Sequence, residues 1–112
     1  MPGSFEVSRG KNGKVNFDLL ASNRRVILTS EAYEQKRSAL NGIASVKNYA
    51  KKRDNFEKRT AKNGKHYFVV LAHNGEIVGH SQMYAHASSA YLGIRSVMNN
   101  APAAKVNDLT TS

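Results

Sequence analysis

Side-chain chemistry concentrates first in two short hydroxyl motifs, Ser30-Glu31-Ala32-Tyr33 and Ser81-Gln82-Met83-Tyr84. Each stands where a strand-like run gives way to a helix-like one. A serine and a tyrosine at a helix N-terminus, with its free amides and the positive end of its dipole, suit an anion such as phosphate. The same residues also have a structural use, because serine satisfies loose backbone groups at a chain reversal and tyrosine packs the connection with its hydroxyl at the rim. Ser30, Tyr33, Ser81 and Tyr84 are therefore candidate anion or metabolite contacts, weighed against that packing role.

Histidine is the next chemistry-bearing type, at positions 66, 73, 80 and 86. Imidazole is a common metal ligand, yet these four follow neither an i, i+4 helical pair nor a finger spacing, so no metal site is expected. Catalysis needs a nucleophile with its base, or a pair of acids within reach, and no such constellation is visible; the chain reads as non-enzymatic, without a cofactor. With zero cysteines there is neither a thiolate nucleophile nor a disulfide framework.

Charge is the third feature. Lys plus Arg number 17 against 8 Asp plus Glu, a formal net charge of +9, which draws polyanions without specifying one. The excess crowds one junction, at Lys47, Lys51, Lys52, Arg53, Lys58, Arg59, Lys62 and Lys65, opposed there by Asp54 and Glu57. These cations, with Tyr67 and Phe56 as stacking surfaces on an open sheet face, are candidate contacts for a nucleic-acid backbone. The competing reading is a solvated face whose helix-end charges suit the dipole.

The elements that must position these groups come from a duplication. Phe5 to Ala50 reappears without a gap as Phe56 to Ala101, each residue displaced by 51. Asn12-Gly13-Lys14 falls on Asn63-Gly64-Lys65, Phe17 on Phe68, Tyr33 on Tyr84 and Gly42-Ile43 on Gly93-Ile94. Each copy begins with alternation broken by an Asn-Gly hairpin turn, then a strand carrying Phe17, Leu19 and Ala21 on one face, a turn at Asn23 or Asn74, and a short third strand. The period then changes to 3.6: Ala39, Gly42, Ile43, Val46 and Ala50, and their counterparts to Ala101, form the apolar stripe of one helix per copy. Gly42 and Gly93 on that stripe imply close approach to the sheet, and Pro102 marks the second helix end. A further strand follows each helix, at 55–60 and 105–110, and the first of these also begins the second copy.

The expected fold is thus α+β: two tandem β3-α-β repeats, about 5–54 and 55–110, in a single domain over 1–112. They should form one antiparallel sheet with both helices packed on one face. At about fifty residues a lone copy is marginal for a hydrophobic core, so the two should share one. No basic, apolar and small-residue series opens the chain and no apolar run approaches spanning length, so the expected setting is the cytoplasm, with no membrane partner.

The spacing Asn-Gly-Lys, Phe, Leu-Ala, Asn, Ser-x-x-Tyr, then Gly-Ile-x-Ser-Val-x-Asn resembles the YegP-like family of small bacterial proteins, in both copies. That resemblance implies β3-α-β units that exchange their last strands, and it implies no activity. Arg24 departs from the family's Asn-Gly turn, and Gln35 and His86 stand where a small hydroxyl residue more commonly caps the helix. Two repeats in one chain supply what a single repeat would obtain by pairing, which favours a monomer. The function expected is a non-catalytic binding module, with sequence-independent nucleic-acid binding or anion binding at the Ser-x-x-Tyr junctions as alternatives.

Overall fold

A computed structural model describes residues 3–110 of the chain. The strands are β1 (Ser4–Arg9), β2 (Val15–Leu20), β3 (Val26–Thr29), β4 (Phe56–Thr60), β5 (His66–Leu71), β6 (Ile77–His80) and β7 (Lys105–Asp108). The helices are α1 (Lys36–Tyr49) and α2 (Ala87–Asn100), each followed by a short 3-10 turn, Arg53–Asn55 and Ala101–Ala103. All seven strands form one sheet in the order β4-β5-β6-β3-β2-β1-β7.

Alternation along the strands turns Phe5, Val7, Phe17, Leu19, Phe68 and Val70 inward, where Ala39, Ile43 and Val46 of α1 and Ala90, Ile94 and Val97 of α2 cover them. The two meanders meet along β3 and β6, whose register is the single pair Thr29 with His80. Both helices straddle that seam: α1 touches β1 and β2 but also β5 and β6, and α2 touches β4 and β5 but also β3. Joint burial under the helices, rather than a long ladder, holds the halves together.

Pairing is antiparallel from β4 through to β1, as the hairpin turns require within each copy, and across the β3–β6 seam as well, with bulges at Leu19/Leu20 and Val70/Leu71. One pair differs from the expectation of a wholly antiparallel sheet: β7 lies parallel to β1, with Ser4 opposite Lys105 and Val7 opposite Asp108. The reason lies in the duplication. The strand after α1 takes the seat beside β5, so symmetry would seat the strand after α2 beside β2. That seat belongs to β1, and β7 keeps its direction one strand further out. The exchange of last strands is thereby present, in a displaced form. Its mirror seat, outside β4, holds no strand among the described residues.

Candidate binding surface

The two serines are built into the sheet. Ser30 and Ser81 are 5% and 3% exposed. The Ser30 hydroxyl accepts from the Phe17 amide at 2.9 Å and donates to the Glu31 carbonyl at 2.7 Å. Ser81 does the same with Phe68 and Gln82, at 3.0 and 2.8 Å. Each hydroxyl repairs the ladder where the third strand leaves the sheet, so both are committed to backbone groups.

Tyr33 and Tyr84 continue that repair, exchanging backbone bonds of 2.7 and 2.8 Å with Val15 and His66 respectively. Their rings lie over Phe17 and Phe68, centroids 6.4 Å apart in both copies. Tyr33 also lines a groove of about 460 Å³ between α1 and the β5–β6 turn, with Asn41, Tyr49, His73 and Glu76 among its walls. Burial first, then the charges of Glu31 and Glu76, raise the Tyr33 pKa above its ordinary value. Of these two carboxylates, Glu76 lies on the wall of the groove. The histidines do not converge: among the described residues no group of three or more His, Asp or Glu is placed to hold a metal.

The basic junction has more shape. Lys51, Lys52 and Arg53 lead from α1 into β4, and Lys62 and Lys65 lie exposed in the turn that leaves it. Within β4, consecutive side chains point to opposite faces, which divides the sequence cluster. Lys58 projects on the helix side, its Nζ 6.0 Å from the ring centroid of Tyr91 on α2. Arg53 approaches the same ring, with Cζ 5.9 Å from its centroid, and Tyr91 itself is 45% exposed. Cations held at an aromatic face are attracted by its quadrupole.

Arg59 turns to the opposite, open face. Its Nε donates to Glu57 at 2.7 Å, and Glu57 followed by Tyr67 raises its pKa still further. Tyr67 stands directly across from it. Phe56, expected on the open face as a stacking surface, is instead in the core at 5% exposure, its ring 5.9 Å from that of Phe68. Phe56 and Lys58 are two apart, so both face the helices. Tyr91 is the residue that sequence reasoning missed; its signal was an aromatic off the apolar stripe of α2, where the first copy has Leu40.

The model of a family described as a domain of unknown function, DUF1508, matches the chain twice, over residues 11–57 and 61–108. The chain belongs to the DUF1508 family. Its relatives include the UPF0339 protein YegP of Escherichia coli strain K12, 46% identical over 110 residues, 98% of this chain and 100% of that protein. A UPF0339 protein of Pseudomonas aeruginosa is 43% identical over 108 residues, 96% of this chain and 98% of the relative. Among solved structures, the solution NMR structure of yegP from E. coli superposes with a TM-score of 0.94 at 46% identity, covering 100% of this chain and 97% of that one. The solution NMR structure of a UPF0339 protein from Shewanella oneidensis gives 0.92 at 43%, covering 98% and 93%. The DUF1508 description and these relatives' names assign no activity. No helix among the described residues is long and apolar enough to cross a membrane.

Proposed function

We propose that this DUF1508 protein is a non-catalytic, monomeric binding module of the cytoplasm, and that its working surface is the basic border of β4. The observation that carries this reading is the pair Arg53 and Lys58 on the exposed Tyr91 ring, with Lys51, Lys52, Lys62 and Lys65 around it. Cations of this kind are common on soluble surfaces. Two of them focused on an aromatic, beside a strand whose outer side holds no strand among the described residues, offer charge together with a flat apolar contact. The partner is anionic, because opposing acids on this border are few.

The test is fluorescence anisotropy with labelled polyglutamate and labelled oligouridylate on nuclease-treated protein, across a salt series. Binding should weaken steeply as salt rises, and charge reversal at Lys52, Arg53 and Lys58 together should remove it. Arg59→Glu serves as the comparison: its guanidinium is already matched by Glu57 on the other face, so its loss should change affinity less than threefold, within about 0.65 kcal/mol. Equal effects of the two reversals, or no binding at low salt, would reject this surface.

A further inference from the structure

Resting on that reading, we propose that the outer side of β4 takes an extended acidic peptide segment as an eighth strand, parallel to β4, as β1 takes β7. The molecule contains its own template for this. Phe17 gives both backbone groups to Ser30, its amide to the hydroxyl and its carbonyl to the Ser30 amide. The residue opposite it on β1, Val7, therefore turns its amide and carbonyl away from β2, and the Val7 carbonyl accepts the Leu109 amide at 2.8 Å.

In the second copy Phe68 spends both groups on Ser81 in the same way. Lys58, opposite Phe68, thus turns its own backbone groups outward, and Phe56 two residues earlier turns its carbonyl outward while its amide donates to the Arg53 carbonyl. No strand meets them among the described residues. Arg53 Nη1 lies 3.4 Å from the Phe56 carbonyl, a long contact that an incoming amide can replace.

The chemistry of the occupant follows from the template. On β7, Val106 and Asp108 lie opposite Phe5 and Val7 and so share the helix side, where Asp108 pairs with Lys36 of α1. An occupant of the β4 edge would place its helix-side residues opposite Phe56 and Lys58, next to Arg53, Lys58 and Tyr91. Carboxylates at alternate positions meet those cations. The intervening residues lie beside Glu57 on the open face and must be uncharged. Main-chain pairing would give such a complex its affinity and the alternate pockets its specificity.

Three peptides of equal charge test this, each alternating glutamate and valine. The first is unmodified, the second N-methylated at the valines, whose amides would pair with β4, and the third N-methylated at the glutamates, whose amides would face away. Isothermal titration should show the first and third binding alike and the second about tenfold or more weaker. The amide resonance of Lys58 should shift on binding, and Lys58→Glu with Arg53→Glu should abolish it.

Equal affinity for all three peptides would overturn strand addition while leaving the anionic surface intact. Binding of oligouridylate without binding of any peptide would overturn the peptide as partner in favour of nucleic acid. Absence of both would remove the surface reading as well.

Discussion

Arg24 is the one described residue other than glycine with positive φ, at 72°, and Gly75 at φ 85° occupies the same turn in the second copy. A left-handed conformation costs a side-chain-bearing residue about 1–2 kcal/mol. The compensation in sight is an exposed ion pair, Nη2 to Glu6 Oε2 at 3.3 Å, and pairs of that kind are worth little. Arg24→Gly should therefore raise stability by about 0.5–1 kcal/mol, after allowing for the greater freedom glycine has in the unfolded chain. Urea unfolding midpoints measure it. A fall in stability would show that the link to Glu6 outweighs the strain, and Glu6→Gln alone would then reproduce that fall.

At the scale of elements, each helix rests on its sheet through a glycine. A Cβ on Gly42 would lie 2.5 Å from the Tyr33 hydroxyl oxygen and 2.9 Å from Phe17 Cε2, and Gly93 repeats this with Tyr84 and Phe68. Alanine gains about 1 kcal/mol of helix propensity, but overpacking of about 1–3 kcal/mol sets it back. Gly42→Ala should lower the melting temperature, and adding Tyr33→Phe should recover part of the loss by removing the nearest atom. Full additivity of the two changes in a double-mutant cycle would refute this contact. The sequence made the glycines' close approach legible through their place on the stripe, while the identity of the obstacle was hidden because Tyr33 reaches Gly42 across a loop. Helix limits were legible too: α1 and α2 begin after Gln35 and His86, where no side chain caps them. The direction of β7 was not, since Lys105 to Asp108 carries no pattern that distinguishes parallel from antiparallel seating. The division of the basic cluster could have been read from strand alternation, which separates Lys58 from Arg59, but Tyr91 could join it only through tertiary packing.

Over the whole molecule, the last strand is fastened to the first copy at two kinds of site: its backbone on β1, and Asp108 on Lys36 at the start of α1. Lys36 first, then Thr110, lowers the Asp108 pKa from 3.8 to about 2. A carboxylate depressed by folding stabilises the native state above its unfolded pKa, and that contribution is lost as pH falls from about 4 toward 2. Circular dichroism during acid titration should therefore show Asp108→Asn losing stability relative to the parent at neutral pH, with the difference closing near pH 2. A constant difference down to that pH would assign the effect to something other than this charge. The parallel seating of β7 on β1 also fixes how the molecule answers to force. Tension applied at residues 3 and 110 pulls β1 from its first residue and β7 from its last, in opposite directions along two strands that run the same way. The load is a shear shared by every bond between them at once, so the sheet resists as a clamp where an antiparallel closing pair, pulled from the ends that lie together, would open one bond at a time.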